Sequence, residues 1–171
     1  IQNFIAKKVD AIVVNPVDSS ATAQMTKLIK AAGIPLVFVN IPPIEELKPG
    51  EPVVYVGSDE KISGTLEGEG IAKLLNGKGN VVILMGAPAS QASVMRTEGA
   101  EKVFAQHPGI KVVGKQSANW QRSEAIDLMN NWLVAGTEID AVCANNDEMA
   151  IGAIIALQQA GKDPKKIVIG G

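Results

Sequence analysis

The segment Asn119-Trp120-Gln121-Arg122 carries the most conspicuous chemistry in the sequence. Only 4% of the chain is aromatic, yet here an indole stands among hydrogen-bonding side chains. An indole face can stack on the C–H face of a ring-shaped polyol while its neighbours bond the hydroxyls. The same ring could instead cover the start of the following helix. Arg96 lies just past the loop Gly86-Ala87-Pro88-Ala89-Ser90, near the beginning of a helical pattern, where the helix dipole disfavours a cation. A planar fork of donors aimed at vicinal hydroxyls would account for it. So would a solvated side chain, or an ion pair with Glu98 or Glu101. Asn145-Asn146-Asp147 precedes another helical stripe. One side-chain oxygen there caps the helix, most simply that of Asp147, which leaves Asn146 as an amide able to bond a hydroxyl.

Other chemistries fail on residue type. His107 is the sole histidine and Cys143 the sole cysteine, so Ser/His/Asp, Cys/His and multi-histidine zinc arrangements are excluded within this chain, as is an intrachain disulfide. Gly64, Gly68 and Gly70 fall inside a helical segment, and Asn76-Gly77-Lys78-Gly79-Asn80 reads as a helix-to-strand turn. Neither follows a strand and opens a helix, as a phosphate loop must. His107 reads as a helix end and Cys143 as inert core. The common hydrolase templates therefore fail, and a nucleotide-dependent enzyme is disfavoured.

The elements that must position these residues are legible as short apolar, β-branched runs at residues 11–14, 36–39, 53–56, 81–85, 111–113, 141–144 and 167–169. They are expected to be parallel strands buried on both faces. Between them lie helical stripes such as Met149, Ala153, Ile154 and Leu157, or Ile126, Met129 and Leu133. Trp132, four residues after Leu128, belongs to the second helix and should pack on the sheet. Gly33, Gly136 and Gly161 mark helix ends. After the strands the chain turns polar or glycine-rich: Asn15 and Asp18, Asn40, residues 86–90 with Arg96 beyond, 117–122 and 145–147. In open parallel sheets that carboxyl edge is where ligands bind.

One interval breaks the βα alternation. Residues 41–52 carry Pro42, Pro43, Pro49 and Pro52, which cannot build a crossover helix, so a stiff loop joins two strands there. A lobe boundary is expected just after it, with residues 1–57 forming part of a first lobe and 58–171 most of a second. The chain opens on an uncapped helical face (Ile1, Phe4, Ile5, Val9) and stops on a strand, so a piece lacking partner segments at both ends is expected, marginally stable alone.

Composition sets outer bounds. The 171 residues are 46% hydrophobic and 20% charged, enough to offset the ordering entropy of a folded chain. Sixteen basic and eighteen acidic residues give a net charge of −2 with no basic run, which argues against a nucleic-acid partner. Apolar stretches such as residues 81–85 are too short to span a bilayer, and no leader pattern opens the chain.

At four motifs the sequence resembles the ribose/galactose-type periplasmic binding proteins, and among them the inositol and rhizopine receptors. These are Val9-Asp10-Ala11-Ile12-Val13-Val14-Asn15-Pro16, Val56-Gly57-Ser58-Asp59-Glu60, Asn119-Trp120-Gln121-Arg122 and Asn145-Asn146-Asp147-Glu148-Met149-Ala150-Ile151-Gly152. The resemblance implies a type I periplasmic-binding-protein fold, α/β with two Rossmann-like parallel-sheet lobes joined by three crossing strands, of which residues 56–58 would be one. It implies a non-catalytic solute receptor, with no cofactor, that captures a sugar or cyclitol between its lobes and hands it to the membrane permease of an ABC importer in the bacterial periplasm. Residue by residue, Arg96 resembles the family's hydroxyl-binding arginine, Trp120 its stacking aromatic, Asn146 its amide contact and Asn40 a first-lobe polar contact. The family follows that last position with a basic residue, where this chain has Ile41. The family's aspartate after the last strand would fall beyond Gly171, and the preceding first-lobe aromatics before Ile1, so binding by these residues alone is expected to be weak. The effector-sensing core of a lactose-repressor-type regulator shares the architecture and much of the first motif, and is the alternative.

Overall fold

The computed structural model describes residues 1–171. They form two compact units, Ile1–Ser58 with Ala89–Ala92, and Asp59–Pro88 with Ser93–Gly171.

The first unit holds helix α1 (Gln2–Ala6), strand β1 (Ile12–Val14), helix α2 (Thr22–Ala31) and strands β2 (Leu36–Val39) and β3 (Val53–Val56). The strands run parallel in the order β1-β2-β3, with Ile12 beside Leu36 and Leu36 beside Val53. Side chains alternate across a strand. Ile12, Leu36, Phe38 and Val53 therefore share one face and pack with Ile29 and Ile34, while Val13, Val54 and Val56 stand exposed on the other. Burial on both faces, expected for every strand, is not found here: only one face of this sheet is covered within the chain. The proline-rich loop forms no helix, as expected. It is held by Glu45, whose carboxylate accepts hydrogen bonds from Thr22 Oγ1 at 2.6 Å and Thr26 Oγ1 at 2.5 Å. Ala89–Ala92 join this unit: Ser19 N donates to the Ala89 carbonyl, and Gln91 N to Ser19 Oγ, each at 3.1 Å.

The second unit contains α3 (Glu60–Leu74), β4 (Lys78–Met85), α4 (Gln91–Phe104, from Ser93 onward), β5 (Gly109–Ser117), α5 (Arg122–Val134), β6 (Ala141–Ala144), α6 (Asp147–Gln159) and β7 (Val168–Gly170). Its parallel sheet has the order β5-β4-β6-β7. Here the two central strands meet the sequence expectation: Val81–Leu84 and Ala141–Ala144 are fully buried, with core on either side. Strand β5 runs longer than its apolar run because it is an edge strand, where Lys111 and Lys115 can stay in solvent. Trp132 packs on this sheet as expected, close enough to Gly114 that a Cβ there would lie 2.9 Å from its ring. Cys143 is buried mid-strand, and burial pushes its thiol well above the usual cysteine range.

The helical glycines, unexplained by sequence, are a packing device. A Cβ on Gly64 would strike the Arg96 backbone, one on Gly68 would sit 3.0 Å from Ala100 Cα, and one on Gly99 2.6 Å from the Lys61 carbonyl. Helices α3 and α4 thus touch backbone to backbone, which brings the first residue of α3, Glu60, within reach of Arg96 on α4.

Candidate functional site

Strands β4, β6 and β5 end side by side in the second unit, and the residues that follow them meet at one rim. Asn145, which follows β6, is 2% exposed and acts as the hub. Its Oδ1 accepts hydrogen bonds from Gly86 N at 3.0 Å, Thr97 Oγ1 at 3.1 Å and Ser93 Oγ at 3.2 Å. Its main-chain carbonyl accepts from Arg96 Nη1 at 2.6 Å. The strand end, the loop after β4 and helix α4 are therefore fixed to one another through a single side chain.

Arg96 does not pair with Glu98 or Glu101. Its Nε donates to Glu60, a carboxylate only 1% exposed, while Glu101 pairs with Lys115 at 2.7 Å. A buried carboxylate demands such a partner. The Arg96 side chain is 26% exposed, whereas its Glu60 partner is 1% exposed. The guanidinium carbon lies 5.9 Å from the centroid of the Trp120 ring, so arginine and indole share one environment.

Trp120 reaches that place through an unusual backbone. Asn119 and Trp120 are successive left-handed residues, with φ of 48° and 67°. Each costs roughly 1–3 kcal/mol and persists only where surroundings impose it. Several contacts impose it here. Ser117 Oγ donates to the Gly86 carbonyl at 2.8 Å, Asn119 Nδ2 donates to Glu124 at 2.7 Å, and Gln121 N donates to the Ala118 carbonyl at 2.7 Å. The ring is partly buried and packs against the core cluster that includes Met149 and Ala125.

Asn146 corrects the expected helix cap. Its own Oδ1, not that of Asp147, accepts from Met149 N at 3.0 Å, because Asn146 is the last extended residue and Asp147 already lies in the helix. Its Nδ2 donates to the Trp120 carbonyl at 3.3 Å. The amide thus holds the aromatic turn and keeps one further N–H. Beside it, Arg122 forms a two-pronged ion pair with Glu148, both contacts 3.0 Å, joining the starts of α5 and α6.

Asn40 stands in the first unit, at the end of β2, and is not brought together with the other three within one unit. It is also left-handed (φ 64°), its carbonyl accepts from Tyr55 Oη at 3.0 Å, and the residue is exposed. Sequence reasoning placed Gly86 and Asn145 on the strand-end edge without giving either a role of its own, and missed Glu60 as the partner of Arg96. The signals were present but ambiguous, since Glu60 reads as a first-turn acid and Asn145 as a redundant neighbour of the cap. No three His, Cys, Asp or Glu side chains cluster so as to hold a metal ion, and no helix is long and apolar enough to cross a membrane.

Two parallel α/β units with polar strand ends define a binding scaffold of the type I periplasmic class, and comparison with known proteins agrees. The periplasmic binding protein domain matches residues 1–171, and the chain belongs to that family. It is 54% identical, over its whole length, to a protein of Rhizobium meliloti named for rhizopine binding, covering 56% of that protein. The ribose import binding protein of Escherichia coli is 32% identical over 98% of the chain and 55% of its own length. A solute binding protein of an ABC transporter from Bacillus halodurans, solved with bound myo-inositol, superimposes with a TM-score of 0.92 at 43% identity, across 99% of this chain and 58% of that one. The chain spans about half the length of the curated relatives it matches.

Proposed function

We propose that the protein containing this chain is the solute-binding component of an ABC-type importer, and that it captures a small polyhydroxylated ring, a sugar or cyclitol of the inositol kind. The observation carrying this reading is the shared rim position of Arg96 and Trp120. The guanidinium carbon of a partly exposed arginine lies 5.9 Å from an indole centroid, at the carboxyl edge of a parallel sheet. Donors for vicinal hydroxyls beside an aromatic face are what a polyol ring requires. Asn146 would supply an amide contact through its remaining N–H, and Asn40 a contact from the strand-end rim of the first unit. Binding and release, without bond making, would be the whole of the chemistry.

Relatives named for rhizopine, xylitol and ribose binding, and solved structures holding myo-inositol or D-allose, favour a receptor over an effector-sensing core of a regulator. Membership of the family implies a periplasmic or extracellular location. The finer reading, a bacterial periplasmic receptor delivering to a membrane permease, rests on that kinship.

The test is calorimetry on the full-length protein against myo-inositol, ribose, xylitol and D-allose. Micromolar or tighter binding to at least one is expected. A flat response to all four would remove the carbohydrate reading.

A further inference from the structure

We infer that Gly86 is a positioning residue for ligand stacking: it is the seat of the Trp120 ring, and its lack of a side chain sets the depth of the proposed polyol site. The inference rests on the carbohydrate reading for its meaning, though not for its geometry.

Gly86 follows β4 directly, and a Cβ built on it would collide with the benzo ring of Trp120. That imagined atom is almost equally distant from Cζ2, Cε2 and Cη2. A point beside a ring edge is near one atom and far from its neighbours, so equal spacing to three contiguous atoms places Gly86 against the ring face. One indole face is therefore closed by backbone, and a stacking ligand must use the other. Every other contact around Gly86 holds this seat still. Its N–H is fixed by Asn145 Oδ1 at 3.0 Å, and its carbonyl accepts from Ser117 Oγ at 2.8 Å, the hydroxyl that also receives Asn119 N at 3.2 Å. Gly86 has no need of glycine's conformational range, for its φ is not left-handed. The residue is small because the ring lies on it.

Any side chain at position 86 would lift the indole away from the sheet, toward the space a ligand ring would fill. Polyol size and thickness at this site are thus governed by a residue that need not touch the ligand itself. An indole needs the room; a phenyl ring lacks the benzo atoms that a Cβ would strike.

The experiment uses the full-length protein with Trp132→Phe, so that Trp120 can be followed by emission, and myo-inositol as the probe. Gly86→Ala is expected to red-shift Trp120 emission and raise its acrylamide quenching in the absence of any sugar. It should also weaken myo-inositol binding by at least about tenfold, in line with overpacking of a tight contact. In a Trp120→Phe background the same Gly86→Ala change should cost less than about threefold. Unchanged emission and quenching would overturn the inference, as would an equal loss of affinity in both backgrounds. If the parent protein ignores myo-inositol altogether, the functional reading loses its probe, while the emission arm still decides where the ring sits.

Discussion

The guanidinium of Arg96 donates to the buried carboxylate of Glu60 and to the Asn145 carbonyl before it can meet any ligand. Replacement by alanine would therefore damage fold and site together. Stripping one partner from a fully buried pair costs about 3–5 kcal/mol, and less here because the Arg96 side chain is 26% exposed. Arg96→Lys separates the effects: it keeps the charge beside Glu60 and removes the planar fork. Binding of the ligand found by calorimetry should fall by about tenfold or more, with only a small change in melting temperature. Trp120→Ala should weaken the same ligand strongly, and wild-type affinity in both variants would remove these residues from the site. Glu67 on α3 makes a pH prediction. Burial raises its carboxyl above the ordinary value of 4.5, opposed by the Cys143 thiol, by Ala144 N at 3.0 Å and by Arg96. A raised folded-state value means the native protein holds its proton longer than the unfolded chain. Its stabilising share is complete below the unfolded value and is lost as pH climbs through the folded one. Glu67→Gln keeps an oxygen for Ala144 N and has no proton to lose. The variant's melting temperature should match wild type near pH 4 and exceed it increasingly toward pH 7; a constant difference would refute the assignment.

Helices α3 and α4 show which part of an element a sequence can reveal. Gly64, Gly68 and Gly70 were legible as glycines within a helical segment, yet nothing in spacing alone told which were needed. Gly64 faces the Arg96 backbone, whereas a Cβ on Gly70 would meet nothing within 4 Å. Gly70→Ala should stabilise the protein by about 0.4–1 kcal/mol through the unfolded state. Gly64→Ala should destabilise it by about 1–3 kcal/mol and loosen the Glu60–Arg96 pair. Denaturant titration of both variants checks the contrast, and equal effects would show that the two helices are not in backbone contact. Strand positions were readable because β-branched runs between glycines and prolines carry their own signature, and Leu36–Val39, Val53–Val56 and Ala141–Ala144 coincide with those runs. The length of β5 was not readable, because an edge strand tolerates Lys115 and Gln116 that a central one would exclude. The site divides the same way. Trp120, Arg96 and Asn146 stood out by residue type after strand ends, but the pairing of Arg96 with Glu60 spans two helices and needs three dimensions. The exchange of cap between Asp147 and Asn146 turns on where the first helical dihedral falls, a one-residue matter that pattern alone leaves open.

At the scale of the whole chain the two units differ in what holds them. The first unit gathers Ile12, Ile29, Ile34, Leu36, Phe38 and Val53 into one cluster beneath three short strands, and leaves Val13, Val54 and Val56 exposed on the opposite face. The second unit buries a cluster on each side of its sheet, one around Val82, Leu84, Met129 and Leu157, the other around Val81, Ile83, Phe104 and Ile110. Apolar burial of roughly 25 cal/mol per Å² is the main force against chain entropy, and a unit of about 60 residues is marginal even when its core is complete. The 171-residue chain is therefore expected to unfold in two steps, first unit first. The sequence supplies its own reporters: Trp120 and Trp132 lie in the second unit, and Tyr55, the only tyrosine, lies in the first. In a urea titration, hydrogen exchange at β1–β3 should reach full exposure while tryptophan emission is still native, and β4 and β6 should keep their amides until emission changes. Coincident loss of protection in both sheets with the tryptophan signal would mean that the units fold as one, and that the exposed face of the first sheet is not a weakness of this chain.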